Sequence, residues 1–249
     1  MLRAPLKKSV ELDKSEFRLR GLDNTRIEAL SDGVFALAVA LLIISSSIPE
    51  NFDDLLKFID GFIPFAATIS LLMLIWYEHY IFFVRYGLKD AGAVAINTVL
   101  LFLILFYVYP LKFLFGVLYQ LFYAIFTNSK ARFDRLFTEV LRQDQADDLM
   151  VIYGLGAASI FITMAGLYFY AYRKKEKLEL DKLERFDTRT SIYSNLLMAG
   201  IPICSALFAF FEMAGRHTFT FAGMLYWLYM FVMPVFGAIR RKKRVALTT

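Results

Sequence analysis

Cysteine and histidine are scarce in this sequence, which has one cysteine and two histidines among its 249 residues. A single cysteine excludes a disulfide within the chain and a metal site built from several thiolates. His79 and His217 are far apart in the sequence, so we do not expect a zinc site either. We therefore predict that the protein holds neither a metal nor another cofactor.

Charge is scarce as well, since 20% of the residues are charged and 58% are hydrophobic, against about 25% and about 45 to 50% in soluble domains. The apolar residues come in blocks of about 20 or more, a length that crosses a hydrocarbon core of about 30 Å. Basic residues gather at the block ends and in the two tails, and no nucleic-acid-binding motif occurs. The composition indicates that the partner is a lipid bilayer and not a nucleic acid.

The apolar blocks predict an all-α membrane protein with six transmembrane helices. We place a charged N-terminal arm at residues 1–24, a transmembrane domain at residues 25–239 and a basic tail at residues 240–249. The arm has no apolar core of the length that a signal peptide needs, so we expect it to remain in the cytosol. The predicted spans are residues 26–48, 55–84, 91–119, 149–172, 191–211 and 219–239, with an amphipathic interfacial segment at residues 120–148.

The basic connections predict the orientation of the chain. The arm, the loop at 85–89, the linker at 173–189 and the RRKKR tail are rich in lysine and arginine, and such connections stay on the cytosolic side. Six spans then place both termini in the cytosol. The basic residues within 120–148 fit this orientation less well, although neighbouring acidic residues and an interfacial position soften the conflict.

The first span begins with charged residues and continues as an apolar helix. Thr25 and Glu28 have the spacing of a capping box, which predicts a helix start near Arg26. Pro49 predicts the end of this helix, because proline cannot continue the helical hydrogen bonding. Arg26 lies at the cytosolic end, where it is either a simple positive-inside anchor or part of a functional site.

Two stripes run along this helix at 100° per residue. Glu28 and Asp32 form one of them, and it points about 140 to 180° away from Leu37. The acidic and apolar stripes therefore contact different neighbours. The apolar side chains face either lipid and ordinary packing partners or a functional surface, and for Asp32 we favour a pairing site between helices. The apolar stripe consists of Leu37, Ala40, Leu41 and Ile44.

The start of the first span resembles the R-x-E-x-F-S-D-G-V-F-A-I-A-x-T-L-L signature of the transmembrane-protein-175 family of potassium channels. The residues that carry the resemblance are Arg26, Glu28, Ser31, Asp32, Gly33, Val34, Phe35 and Ala36, followed by LAVALL. The likeness extends to Trp76 and His79 in the second span, to Asn97 and Pro110 in the third, and to the number of spans.

The resemblance implies a homotetramer in the bacterial inner membrane, with a central pore lined by the first helix of each subunit. It implies no TVGYG carbonyl filter, and none occurs in this sequence. Potassium and other monovalent cations would instead pass rings of apolar side chains at Leu37, Ala40, Leu41 and Ile44. The resemblance also implies a polar network near the cytosolic side that braces the pore helix, formed by Arg26, Ser31, Asp32, Trp76, His79 and Asn97.

Two residues depart from the family pattern. Leu30 stands where phenylalanine is usual, which is a mild change in packing volume. Ala40 stands where threonine is usual, and a methyl group cannot share in coordinating a partly dehydrated cation as a hydroxyl does. We therefore expect this chain to discriminate potassium from sodium less well than its relatives.

A potassium-conducting leak channel is the function that we predict, and it involves no catalytic step. A secondary active transporter for a cation or small solute is the alternative, motivated by the membrane carboxylates and by the glycines and prolines of spans two and five. An enzyme is disfavoured, because no nucleophile and base occur at a recognisable spacing. We interpret His79 as a structural hydrogen-bonding residue in preference to a proton sensor.

Overall fold

The computed structural model is all-helical and describes residues 12–13, 17–23, 25–45 and 48–248. The rest of the predicted N-terminal arm, including residues 1–11, lies outside the described residues. Six described segments are helical, long and apolar enough to cross a membrane. The prediction of an all-α membrane protein with six spans is therefore confirmed.

The helices follow one another in six hydrophobic passes. α5 (Lys130–Arg135) and a π-helical segment (Leu136–Val140) connect the third pass to the fourth, and short 3-10 turns flank α8. The passes are α1 (Arg26–Ile44), α2 with α3 (Phe52–Asp60 and Phe62–Tyr86), α4 (Ala91–Phe126), α6 (Gln143–Arg173), α7 (Lys182–Phe210), and α8 with α9 (Thr218–Met224 and Tyr229–Thr248).

α1 begins where the capping box predicts and ends earlier than predicted. The Thr25 hydroxyl accepts the N–H of Glu28 at 3.3 Å and donates to the Glu28 carboxylate at 2.8 Å. The helix ends at Ile44 and not near residue 48. Ser45 follows, and its hydroxyl donates to the carbonyl of Leu42 at 2.9 Å, so a side chain satisfies a carbonyl of the last turn.

The second and third passes also differ from the predicted bounds. Gly61 separates α2 from α3, and Pro64 lies in the first turn of α3, where its missing N–H costs no helical hydrogen bond. α4 continues through Pro110 and extends to Phe126. The left-handed backbone of Asn128 (φ 50°) then turns the chain. The segment predicted as one amphipathic helix at 120–148 is thus divided among α4, α5, the π-helical segment and α6.

The last passes are longer than the apolar blocks alone suggest. α7 begins at Lys182, well before the predicted start at residue 191, because Asp181 and Glu184 form a reciprocal capping box. α9 continues through the predicted basic tail to Thr248. Lysine and arginine are good helix formers, so the chain remains helical after the apolar part ends.

α6 lies close against α7, and α1, α3, α4 and α6 share the main apolar core. A Cβ atom at Gly154 would lie 2.6 Å from the Pro202 carbonyl oxygen and 2.7 Å from the Ala206 Cβ atom. Ala158, four residues after Gly154, is buried. The absence of a side chain at Gly154 therefore permits close contact between α6 and α7.

The described end of the N-terminal arm is packed against the end of α3. Phe17 is buried beside Tyr86, with the two ring centres 5.4 Å apart. The N–H groups of Arg20 and Gly21 both donate to the Val84 carbonyl, at 3.0 and 2.9 Å. Residues 17–21 therefore fix the position from which the chain enters α1.

Candidate functional site

α1 has one buried face and one exposed face. Its fully buried residues are Ser31, Phe35, Ala38 and Leu42, which recur at helical spacing. On the opposite face, Leu37 is 49% exposed and Ile44 is 73% exposed, whereas Ala40 and Leu41 are half-buried. The predicted apolar stripe thus lies on the surface of the single subunit, with Leu41 at its edge.

A buried chain of hydrogen bonds connects three helices at the N-terminal half of α1. The Asn97 amide nitrogen donates to the Ser31 hydroxyl at 2.9 Å, and that hydroxyl donates to the Ile27 carbonyl at 2.8 Å. The Asn97 amide oxygen therefore accepts from Nε2 of His79, 2.8 Å away. Ser31, His79 and Asn97 are each at most 2% exposed, so the chain holds α1, α3 and α4 in one arrangement.

Asp32 and Trp76 form a second connection between α1 and α3. The indole N–H of Trp76 donates to the Asp32 carboxylate at 2.8 Å, and the indole stacks on Tyr80 with ring centres 5.8 Å apart. Asp32 is exposed, and Trp76 is half-buried. The carboxylate thus contacts a helix of its own subunit, as the acidic stripe predicts.

Arg26 belongs to neither of these two sets of hydrogen-bonded residues. Its side chain is exposed, and within the described residues it forms no hydrogen bond or ion pair with another predicted member of the network. The structure joins Ser31, His79 and Asn97 in one chain of contacts and Asp32 with Trp76 in another. Arg26 stands at the entrance of α1, apart from both.

Two buried carboxylates at the end of the bundle beside the N-terminal arm were not found from the sequence. Glu184 is 1% exposed and forms ion pairs with Arg20 at 2.7 Å and with Arg18 at 3.3 Å. Asp187 is also 1% exposed and pairs with Arg240 at 3.2 Å and Arg244 at 3.1 Å. The three-residue spacing of these carboxylates places them on one side of α7, but the sequence does not indicate which arginines pair with them.

Asp90 directly precedes α4, outside the spans, and its side chain joins that helix to the end of α6. Burial acts to raise the pKa of Asp90, but hydrogen bonds from Lys174 and Tyr170 outweigh it and lower the pKa to about 2. Asp90 is therefore ionised at neutral pH, and its ion pair with Lys174 connects the third pass to the fourth.

Lys112 is a charged residue within the apolar pass α4. In the structure its ammonium lies at the last turn of α1, where it donates to the Leu42 carbonyl at 2.9 Å and to the Ser45 hydroxyl at 2.8 Å. Lys112 thus belongs to the surroundings of the apolar stripe.

No resident metal site is suggested by the described side chains. Among them, no three histidine, cysteine, aspartate or glutamate residues lie close enough together to hold a metal ion. The notable surface is instead the apolar face of α1, which α3 and α4 hold in position through polar contacts on its other side.

Comparison with known proteins identifies similar chains. A family model described as the endosomal/lysosomal potassium channel TMEM175 matches residues 26–107. A potassium channel of Marivirga tractuosa is 46% identical over 228 residues, which cover 91% of this chain and 92% of that protein. A potassium channel of Chamaesiphon minutus is 29% identical over 93 residues, or 34% of this chain and 46% of its own.

The fold is also similar to a solved channel structure. A crystal structure of a threonine-to-alanine variant of the potassium channel MtTMEM175, in complex with a nanobody–MBP fusion protein, superimposes with a TM-score of 0.83. The two sequences are 45% identical, and the match covers 94% of this chain and all of the other. The helical arrangement described above is thus shared over nearly the full length.

We expect Asn97→Ala to destabilise the protein more than Asn195→Ala, as measured by the thermal midpoint in detergent. Loss of the Asn97 amide removes the acceptor of the His79 Nε2–H group, at about 1 to 3 kcal/mol for a buried unsatisfied group. It also removes the donor to the Ser31 hydroxyl, which keeps its bond to the Ile27 carbonyl. Among the described residues, the Asn195 side chain bonds only to the Ser191 carbonyl of its own helix. Equal midpoints for the two variants would contradict a bracing role for the buried chain.

Proposed function

The chain belongs to the TMEM175 family of potassium channels, and on that premise we propose that α1 lines its ion pathway. The protein is a membrane-spanning potassium channel and not an enzyme. The proposal concerns how this chain conducts: which helix faces the ions, how many subunits surround the pore, and which side chains narrow it.

The exposed face of α1 is the observation that carries the proposal. In the apolar window of α1, 22% of the residues are buried, the same share as in the second pass, and the region matched by the family model begins at the first residue of α1. One α1 per chain provides too little wall to enclose a pore. We propose a homotetramer in which four copies of α1 surround the axis and turn this face toward it.

Leu37 and Ile44 are the proposed narrowing residues, with Leu41 and Ala40 between them. Ile44 lies seven positions after Leu37, which is about 10 Å along the axis at 1.5 Å per residue. Four copies would form stacked apolar rings. Such rings contain no oxygen ligand for an ion, so they would close the pore by excluding water.

Selectivity in such a pore would depend on the cost of removing water from the ion. Potassium holds its hydration shell less tightly than sodium, so a narrow apolar neck favours potassium without a tailored binding site. We propose that other monovalent cations pass as well, and that discrimination is modest because Ala40 provides no hydroxyl.

The acidic side chains of α1 have a different role in this proposal. Asp32 accepts a hydrogen bond from Trp76 and Glu28 is engaged with Thr25, so both carboxylates are directed to residues of their own subunit. They would set the orientation of the pore helix and leave the apolar face toward the ions.

We propose that both termini are cytosolic and that the membrane is the bacterial inner membrane. Arg18, Arg20, Arg85, Arg240 and Arg244 all lie at one end of the bundle, paired with buried or partly buried carboxylates. An excess of basic residues at one end is typical of the cytosolic side.

The transporter alternative was motivated by the membrane carboxylates and by the glycines and prolines of spans two and five. Glycines and prolines are relevant because transporters build substrate sites from helices interrupted near the membrane centre. Pro64 lies in the first turn of α3. α7 runs from Lys182 to Phe210 without a break at Gly200 or Pro202. Gly61 does divide the second pass, but it lies between α2 and α3 near the start of that pass and not at its centre. The central parts of α3 and α7 are therefore continuous, unlike the interrupted helices of such transporters.

We expect Leu37→Ser to raise potassium flux into liposomes several-fold and to lower the preference for potassium over sodium. The hydroxymethyl group is smaller and polar, so water and hydrated ions would enter the neck more easily. Leu207→Ser on α7 is the matched control, because Leu207 is 50% exposed and Leu37 is 49% exposed. If Leu37→Ser and Leu207→Ser both conduct as the unchanged protein does, the constriction lies elsewhere.

We expect Ala40→Thr to increase the permeability ratio of potassium to sodium, measured as a shift of the reversal potential under bi-ionic conditions. The new hydroxyl would supply an oxygen to a partly dehydrated cation. Ala40→Val is the control, since valine has the shape of threonine without the hydroxyl. The same shift for valine would show that side-chain volume, and not coordination, controls selectivity at this position.

A further inference from the structure

Lys112 places a positive charge on the end of the helix that carries the apolar stripe. α1 ends at Ile44, so the Leu42 carbonyl is among the last four, which have no partner within the helix. The Lys112 ammonium donates to this carbonyl and to the Ser45 hydroxyl, and Ser45 also donates to the carbonyl. Three groups on two helices thus form a closed triangle of hydrogen bonds.

The charge of Lys112 suits this position. The C-terminal end of a helix carries a partial negative charge, and a cation in the last turn stabilises it. Lys112 lies in the apolar pass α4, two residues after Pro110, where an ammonium without a partner would be costly. The contact with α1 satisfies both the carbonyl and the cation.

α4 therefore holds α1 at two points. Asn97 binds Ser31 in the cytosolic half, and Lys112 binds Leu42 and Ser45 at the other end. The proposed constriction, from Leu37 to Ile44, lies between Ser31 and Ser45, the outermost α1 contacts of these two connections. A shift of α4 at either connection would therefore also move the exposed apolar face of α1.

Space is available for such a displacement at the outer end. A cleft of about 320 Å³ lies beside this connection, and Ser45, Lys112, Gly116 and Gln120 are among the residues that line it. Without the ammonium, the last turn of α1 has room to shift or unwind. Ile44, which is 73% exposed and next to Ser45, would be the first stripe residue affected.

We propose that Lys112 is a positioning residue of the channel, which fixes the last turn of α1 and thereby the width of the outermost apolar ring. The proposal rests on the proposed function, namely that α1 lines the pore. It assigns to Lys112 no contact with the ion. Its effect on permeation is transmitted through the position of Ile44.

The test is Lys112→Met, measured by single-channel recording and by liposome flux. Methionine keeps an unbranched side chain and removes both the charge and the donors. We expect the leak to rise several-fold and the potassium-to-sodium permeability ratio to fall. Lys112→Arg, which keeps the charge and the donors, should restore both values toward those of the unchanged protein.

Lys57→Met is the matched control for charge. Lys57 lines the larger cleft that also contains Lys112, but it pairs with Asp54 of its own helix and is 77% exposed. If Lys57→Met changes permeation as much as Lys112→Met does, surface charge and not helix position is responsible, and the proposal is wrong. An unchanged leak and ratio in Lys112→Met would also overturn it.

Ser45→Ala provides a second route if Lys112→Met does not fold. It removes an acceptor of Lys112 from an exposed position and leaves the bond to the Leu42 carbonyl. We therefore expect a smaller change in the same direction. A permeability ratio in Ser45→Ala equal to that of the unchanged protein, together with an unfolded Lys112→Met, would leave Lys112 a purely structural role and refute the proposal.

Leu37→Ser, recorded in the same series, separates the two proposals. If it changes flux while Lys112→Met and Ser45→Ala do not, only the positioning role fails. If Leu37→Ser has no effect, the assignment of the pore to α1 fails first.

Discussion

The need to pair every polar group within an apolar bundle determines how α1 is oriented. Ser31, Asn97 and His79 are buried among hydrophobic side chains, and each satisfies another across a helix boundary. Lipid offers no alternative partner, so rotating α1 about its axis would leave these groups unpaired at a cost of several kcal/mol in total. The arrangement of the other face follows from this constraint.

That other face is apolar, and it is left without a partner inside the subunit. The polar contacts are all made on the side of α1 that faces α3 and α4, so Leu37 and Ile44 are directed outward. Polar residues in a membrane usually mark the path of an ion. In this protein they support the helix, and the least polar surface is the one that we assign to the pathway.

The charged groups at the end of the bundle beside the N-terminal arm obey the same constraint, because each buried charge has a partner. Glu184 and Asp187 are buried on α7, and each is neutralised by two arginines, from the N-terminal arm and from α9 respectively. A buried carboxylate is tolerated only with such partners. The arm that leads into α1 is therefore fixed to α7 and to the end of α3, so the N-terminal end of α1 is anchored on two sides.

Much of the fold and of the orientation of α1 could be predicted from local sequence patterns. The six passes follow from block length, the start of α1 from Thr25 and Glu28, and its two faces from helical periodicity. The ends of the helices were harder to predict from the sequence, because α1 ends at a serine cap and α7 begins at a capping box within a charged segment. The ion pairs of Glu184 and the contact of Lys112 with α1 join residues that are distant in the sequence, and no local pattern encodes such pairs. Arg26 was grouped with the network by resemblance, and its exposed side chain lies apart.

The central claim is that the exposed face of α1 faces the ions, and cysteine accessibility along that helix tests it most directly. Cys204 is the only cysteine, so Cys204→Ser gives a background without thiols. Single cysteines from position 31 to 44 would be treated with a charged methanethiosulfonate reagent during recording of potassium current. We predict modification of the current at positions 37, 40 and 44, and none at positions 35, 38 and 42. Modification at the second set, or none at the first, would contradict the account.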